Sequence, residues 1–227
     1  MLEVLSIDPK RPACCAVIWL HGLGADGHDF EHLIREWGLM EEFGVRFILP
    51  HAPLRPVTLN RGMVMRAWYD IYDMDFASGE DLDGLESSRS EVTELIELQQ
   101  NLGIPPDRII LAGFSQGGAL ALHTALRSRS PLAGVLVLSG YLPLAHLMAK
   151  QARVDPAKLV IRMDHGDTDS VVPFAAADRS CRLLEAQGYT VDFHQYAMGH
   201  TLCPEQMFSL RGWFRERLIS LKKSLLT

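Results

Sequence analysis

The sequence predicts an α/β protein, with a mostly parallel sheet and helices on both faces. Short apolar and β-branched runs alternate along the chain with amphipathic stretches of helical length, the pattern of repeated strand–helix units. Several of these runs are apolar on both faces, as a buried parallel strand must be. Six strands are predicted in chain order, at 15–20 (beginning near Cys14), 45–49, 108–113, 134–140, 158–163 and 190–196.

Three helices stand out between and after these strands. Apolar residues recur near the helical period at Leu85, Val92, Leu95, Ile96 and Leu102. Residues 173–187 begin with a proline and are followed by Gly188, which is typical of helix ends. A closing helix is predicted from Pro204 to about Leu221.

Residues 53–83 interrupt this regular alternation. They are rich in Met and aromatic residues without a clear period, and they include Met65, Met74 and Phe76. An ordinary connection in such a fold needs only a few residues, so a segment this long is often functional.

The length and charge of the chain limit the classes of protein it can be. Its 227 residues correspond to about 1.5 average domains, and no repeat or linker marks a boundary, so we expect one domain over residues 1–227. The chain has 28 acidic residues and 22 Lys and Arg residues. Its net charge is therefore −6, which argues against nucleic-acid binding. No apolar run approaches a membrane span and no export signal is recognised at the start, so we expect a cytoplasmic protein without stable membrane insertion.

The four cysteines, Cys14, Cys15, Cys181 and Cys203, show no CxxC pair and no metal-ligand spacing. We therefore expect free thiols in a reducing compartment. The histidines and acids form no HExxH or comparable motif, and neither a metal nor another cofactor is predicted.

The motif GFSQG at 113–117 is the first sign of chemistry. It fits G-x-S-x-G, and it lies between a predicted strand and a predicted helix, where a strained turn exposes the nucleophile. Small residues are required two positions away on either side, and Gly113 and Gly117 meet that requirement. Ser115 is the candidate nucleophile, and the backbone N–H of Gln116 is a natural donor to a developing oxyanion.

A serine nucleophile needs a base and a residue that orients the base, and candidates for both occur downstream. HGDTDSVVP at 165–173 places acids after a strand, with Asp164 and Asp167 competing with Asp169. YAMGH at 196–200 places His200 in a loop after the last strand. The order Ser115, acid, His200 is the one expected for a triad on an α/β-hydrolase sheet.

The glycine-rich loop HGLGADGHDF at 21–30 follows the strand predicted at 15–20. A second oxyanion donor is expected from such a loop, and the N–H of Leu23 is the candidate. An ordinary strand–helix turn remains the alternative.

Together these blocks resemble the carboxylesterase and acyl-protein thioesterase family, also called the phospholipase/carboxylesterase family of small α/β-hydrolases. The resemblance rests on WLHGLGADGHDF, RFILPHAP, AWYDI, GFSQGGALAL, LSGYLP, HGDTDSVVP and YAMGH, in that order from about Ala16 to about Leu218. It implies the triad Ser115, Asp169 and His200, and it implies that the N–H groups of Leu23 and Gln116 bind the oxyanion. It also implies a short flap over the active site, with Leu59, Met63, Val64 and Trp68 lining an acyl channel.

We expect from this a serine carboxylesterase that acts on short to medium-chain esters. Hydrolysis of acyl-protein thioesters or of lysophospholipids by the same triad is the alternative. A non-catalytic ligand-binding module is a further hypothesis, although no member of the triad is missing. The expected partner is a small ester or thioester substrate, and a homodimer stays open.

Overall fold

The computed structural model describes residues 2–73 and 79–223, and its centre is a seven-stranded sheet. The spatial order is β1-β3-β2-β6-β7-β8-β9. The strands are β1 (Val4–Ile7), β2 (Cys15–Leu20), β3 (Val45–Pro50), β6 (Ile109–Phe114), β7 (Gly134–Leu138), β8 (Ile161–Gly166) and β9 (Val191–Tyr196). Strand β1 pairs antiparallel with β3, and every other neighbouring pair in this sheet is parallel. All six predicted strands are present; β1 had not been predicted.

Helices cover both faces of the sheet. They are α1 (Glu31–Trp37), α2 (Leu39–Phe43), α3 (Leu82–Asn101), α4 (Gln116–Leu126), α5 (Ala145–Gln151), α6 (Phe174–Ala186) and α7 (Pro204–Lys223). One apolar core joins the sheet to α3, α4 and α6, and a second core on the other face joins it to α1, α2 and α7. The predicted α/β fold class is confirmed, as are the three predicted helices.

The segment predicted to be irregular contains a two-stranded hairpin, β4 (Leu54–Val57) and β5 (Met63–Arg66), which pair antiparallel. A hydrogen bond of 2.8 Å from Gly24 N–H to Arg66 C=O joins this hairpin to the loop that follows β2. Met74 and Phe76 of the same segment lie outside the described residues.

Within residues 2–73 and 79–223, none of the helices is both long and apolar enough to cross a bilayer. All four cysteines have free thiols.

Candidate active site

Ser115 lies at the turn between β6 and α4, in a strained backbone conformation. Its φ is 55°, a region that residues other than glycine rarely adopt. The turn is held by a 2.7 Å hydrogen bond from Ser115 N–H to Leu138 C=O. A Cβ atom on Gly113 would lie 2.3 Å from the backbone of Gly117, and one on Gly117 would lie 2.4 Å from the Leu20 carbonyl. The glycines of the motif are therefore required because two backbone segments meet there.

Ser115 and His200 are brought together although 85 positions separate them. The Nε2 atom of His200 lies 2.9 Å from Ser115 Oγ, and its Nδ1 atom lies 2.7 Å from Asp169 Oδ2. A carboxylate can only accept, so Nδ1 carries the proton and Nε2 is free to accept from the hydroxyl. This arrangement lets the imidazole remove the hydroxyl proton of Ser115.

Asp169 is fully buried and held as an acceptor. Its Oδ1 atom accepts hydrogen bonds of 2.9 Å from the N–H groups of Val171 and Val172. His165 lies beside it, with Nε2 2.8 Å from Val172 C=O and 3.5 Å from Asp169 Oδ2. Burial lowers the pKa of His165, so this ring supports the loop as a neutral donor to Val172.

The two competing acids of the sequence have other surroundings. Asp164 is buried on β8 and forms two hydrogen bonds with Arg162, at 2.7 and 3.0 Å. Arg162 also donates to Tyr196 Oη and Ser209 Oγ. Asp167 is exposed at the turn after β8. Asp169 is the acid that accepts from His200 Nδ1–H; among the described contacts neither Asp164 nor Asp167 does so.

The backbone around Ser115 can stabilise negative charge. Gln116 is the first residue of α4, so its N–H has no acceptor within the helix. Gln116 and Leu23 both line the same cavity as Ser115. The Gln116 side chain connects the turn to the flap, because it accepts from Trp68 N–H at 2.8 Å and donates to Tyr69 C=O at 2.7 Å.

His21 fixes the loop that carries Leu23. Its Nδ1–H donates to Gly22 C=O at 2.7 Å, and its Nε2 accepts from Ala52 N–H at 3.0 Å. Burial lowers the pKa of His21 to about 4, so the ring stays neutral and can keep one donor and one acceptor. Trp68 Nε1–H donates to the His21 carbonyl at 2.9 Å, which ties the same loop to the flap.

A cavity of about 310 Å³ opens directly onto Ser115 and His200. Most of its lining side chains are apolar or aromatic, and Asp29 is the one acid among the described lining residues. Of the four residues expected in an acyl channel, Leu59 lines this cavity. The structure places the other three elsewhere: Met63 and Val64 are 64% and 62% exposed on β5, and Trp68 is fully buried away from the cavity lining.

Two tyrosines that pattern analysis did not select form part of the cavity wall. The hydroxyls of Tyr69 and Tyr141 lie 3.2 Å apart, and burial raises the pKa of both well above the ordinary value. Tyr141 also lines a neighbouring cavity of about 250 Å³. Both residues lie in sequence blocks that carry the family resemblance, AWYDI and LSGYLP, which was the available signal.

No set of three His, Cys, Asp or Glu side chains in the described part of the chain is arranged to hold a metal ion. The chemistry of the site is that of a hydroxyl, an imidazole, a carboxylate and backbone N–H groups.

Comparison with known proteins gives a consistent result. The family model described as Phospholipase/Carboxylesterase matches residues 3–216. Acyl-protein thioesterase 1 of Neurospora crassa is 39% identical over 214 residues, covering 89% of this chain and 86% of that protein. Acyl-protein thioesterase 1 of Cryptococcus neoformans is 36% identical over 235 residues, covering 96% and 98%.

Solved structures agree with the fold. The chain superposes on Zea mays acyl-protein thioesterase 2 with a TM-score of 0.84 and 28% identity, covering 96% of this chain and 100% of that one. Arabidopsis thaliana SOBER1 gives a TM-score of 0.82 and 29% identity, covering 90% and 99%. The chain therefore belongs to the phospholipase/carboxylesterase family of α/β-hydrolases and is a carboxylic ester hydrolase.

Proposed function

We propose that this protein is a serine thioesterase that removes acyl groups from S-acylated cysteines of proteins or peptides. The observation that carries the proposal is the unbroken hydrogen-bond chain from Asp169 through His200 to Ser115, which ends at an apolar-lined cavity. Two relatives described as acyl-protein thioesterase 1, at 36% and 39% identity, favour thioesters over the short-chain esters that the sequence alone placed first.

In the first half of the reaction, Ser115 Oγ attacks the acyl carbon as His200 Nε2 takes its proton. Asp169 keeps the imidazole in the required tautomer and stabilises the imidazolium that forms. His200 then gives the proton to the leaving thiolate, and the acyl group remains on Ser115. A thiolate is a good leaving group, so formation and stabilisation of the tetrahedral oxyanion is the step that the site must assist.

In the second half, a water molecule takes the place of the cysteine. His200 removes a proton from the water, which attacks the acyl carbon, and then returns that proton to Ser115 as the fatty acid leaves. In both halves the N–H groups of Leu23 and Gln116 donate to the oxyanion. Loss of one such donor in other serine hydrolases costs about 10²–10³ in kcat.

The acyl chain is assigned to the apolar cavity. Leu59, Ile71 and Val172 offer it apolar surface, and Tyr69 and Tyr141 limit its depth. The acylated protein stays outside, because the cavity has space for one acyl chain and not for a folded segment.

The four free thiols support action in a reducing compartment, the cytoplasm.

Hydrolysis of short to medium-chain carboxylic esters is the second candidate, and the cavity volume favours it. About 310 Å³ lies at the lower end of the range for ligand sites, roughly 300–1,000 Å³. A long acyl chain would fill this space and extend beyond it.

The test compares a thioester and an oxygen ester that carry the same acyl group. Purified protein is assayed with a palmitoylated cysteine peptide and with p-nitrophenyl esters of two to sixteen carbons. We expect kcat/KM for the thioester to exceed that for the oxygen ester of equal chain length at least tenfold. A preference for short oxygen esters would instead establish the second candidate.

Ser115→Ala should lower kcat for both substrates at least about 10⁴-fold, as in other triads. The matched control is Ser90→Ala on the exposed side of α3, which should retain full activity. Stoichiometric labelling of wild type by a fluorophosphonate is also expected; failure to label, together with an active Ser115→Ala protein, would contradict the assigned nucleophile.

A further inference from the structure

A separate cavity with a polar lining lies at the far end of α4, away from Ser115. It has a volume of about 210 Å³ and is lined by side chains of α3, the C-terminal end of α4, and α5 with the residues that follow it: Glu86, Arg89, Arg127, Lys150, Gln151 and Arg153. Helix α4 has 11 residues, so about 16 Å of helix separates this cavity from the nucleophile. Its lining residues do not overlap with those of the catalytic cavity.

The charge in this cavity is opposite to that of the whole chain. Four of its six lining residues are Lys or Arg and one is Glu, whereas the chain has a net charge of −6. His123, beside Glu86, adds no charge because burial lowers its pKa to about 4. A concave site with three net positive charges on an acidic protein would concentrate small anions.

Arg127 is the most buried of these cations, with its side chain 5% exposed. It donates to Gln151 Oε1 through Nε and Nη2, at 3.0 and 2.7 Å, and to His123 C=O through Nη1. Each terminal nitrogen keeps a second N–H for another acceptor. The nearest carboxylate oxygen, from Glu86, is 4.0 Å away and is shared with His123.

A buried guanidinium with so weak a counter-charge is costly unless another anion compensates for it. Glu86 cannot do so fully, because its other oxygen accepts from Arg89 at 2.7 Å. Lys150 and Arg153 are exposed at the rim, and neither forms an ion pair among residues 2–73 and 79–223. Both are free to turn toward a ligand.

The helix dipole offers a simpler reason for one of these cations. Arg127 caps the C-terminus of α4, where positive charge is favourable. This does not account for the convergence of Arg89, Lys150 and Arg153 from other elements, nor for the open space between them.

We propose that this cavity is a binding site for a phosphate-bearing anion. The guanidinium fork of Arg127 would bind two phosphate oxygens side by side, which is the geometry that Arg provides and Lys does not. Lys150 and Arg153 neutralise the remaining charge at the rim, and Gln151 holds the fork in place. The volume suits a phosphate group with a small polar moiety attached, either a free phosphorylated metabolite or the headgroup of a phospholipid.

Two probes distinguish these sources. Glycerol 3-phosphate is titrated by calorimetry at constant ionic strength, and sedimentation is measured with phosphatidylcholine vesicles that contain or lack phosphatidylinositol 4-phosphate. We expect saturable binding in at least one arm. Binding of glycerol 3-phosphate assigns a soluble metabolite, and binding restricted to the phosphoinositide vesicles assigns a lipid headgroup.

The variant Lys150→Gln with Arg153→Gln removes two exposed charges, and it should weaken binding at least tenfold. The matched control Lys10→Gln with Lys158→Gln removes two exposed cations elsewhere and should change binding less than twofold. Glu86→Gln, which removes the one acid from the cavity, should tighten binding about threefold. Absence of saturable binding in both arms, or equal loss in the rim variant and its control, would overturn the proposal.

Discussion

Two carboxylate–imidazole pairs in this molecule have the same hydrogen-bond distance and different surroundings. Asp169 Oδ2 lies 2.7 Å from His200 Nδ1, and Glu86 Oε1 lies 2.7 Å from His123 Nε2. The first pair faces Ser115 and an open cavity, with the His200 side chain 15% exposed. The second pair links α3 to α4, with His123 fully buried and its Nδ1 atom without a hydrogen-bond partner among the described residues. A contact between an acid and an imidazole therefore does not by itself define a catalytic site. What distinguishes the first pair is the hydroxyl on the other side of its imidazole and the open cavity beside that hydroxyl.

The two pairs also differ in which imidazole nitrogen contacts the acid. In His200 the acid binds Nδ1, which leaves Nε2 toward the hydroxyl. In His123 the acid binds Nε2, and within residues 2–73 and 79–223 no hydroxyl forms a hydrogen bond with Nδ1. The pKa of His123 is lowered to about 4, principally by burial and next by the charge of Arg127. This imidazole therefore serves as a neutral cross-link.

The same acid-to-amide change in each pair should have very different effects, and the larger is in the first. Asp169→Asn would donate to Nδ1 and force the proton of His200 onto Nε2, where it can no longer accept from Ser115. We expect kcat to fall about 10⁴-fold with little change in KM. Single-turnover kinetics with a p-nitrophenyl ester measure this directly, and a loss below tenfold would contradict the role assigned to Asp169.

The cavity beside the first pair can be altered without touching the relay. Tyr141→Leu shortens the wall between the 310 Å³ and 250 Å³ cavities, so longer acyl chains should gain roughly tenfold in kcat/KM relative to short ones. Tyr141→Phe is the control, since it removes the hydroxyl contact with Tyr69 and keeps the ring. The acyl-length series of both variants is compared; equal profiles would show that Tyr141 does not limit chain length.

Glu86→Gln applies the same chemical change to the second pair. We expect kcat/KM to stay within twofold of wild type, because Glu86 lies at the far end of α4 from Ser115. The free energy of unfolding should fall by about 1–2 kcal/mol, since a hydrogen bond and ion pairs to charged partners are weakened. Urea denaturation and ester assays on the same preparation test both halves of the prediction.

The pH dependence of stability tests the second pair separately. The folded-state pKa of His123 is about 4, below the ordinary value of 6.5, so the unfolded chain binds more protons between those pH values. Wild type should lose stability as pH falls from 6.5 toward 4. His123→Gln removes this contribution, so its loss of stability from pH 7 to pH 5 should be smaller than that of wild type. His21, whose pKa is also lowered to about 4, remains in both proteins and cancels in the comparison.

The sequence predicted the elements that carry a strong periodic signal. The six predicted strands are the ones that pair in parallel in the sheet. Most of them are buried, so their apolar runs can be recognised in the sequence without a structure. Strand β1 is four residues long and lies at an edge, and the hairpin strands are equally short, with Pro56 within β4. Such edge elements are defined by their pairing partners and carry little pattern of their own.

The same distinction holds within the site. Ser115 and His200 lie shortly after predicted strands, so motif order was enough to select them as candidates. The choice of Asp169 over Asp164 and Asp167 required the family resemblance. The cavity wall is built from side chains whose direction depends on tertiary packing. The family resemblance implied that Met63 and Val64 lie in the wall, yet both are exposed on the hairpin. Tyr141, in a connection with no periodic signal, lies in the wall instead.

The close approach of the glycine backbones at residues 113 and 117 has a consequence for the evolution of this scaffold. Helix α4 rests on the main chain of β2 and β6 through atoms that every amino acid possesses, with no side chain between them. The position of the Gln116 N–H relative to the main chain of β2 is thus set by this backbone contact, independently of what lines the cavity. Selection can exchange residues such as Leu59 or Ile71 to suit a new acyl group while the reaction centre stays the same.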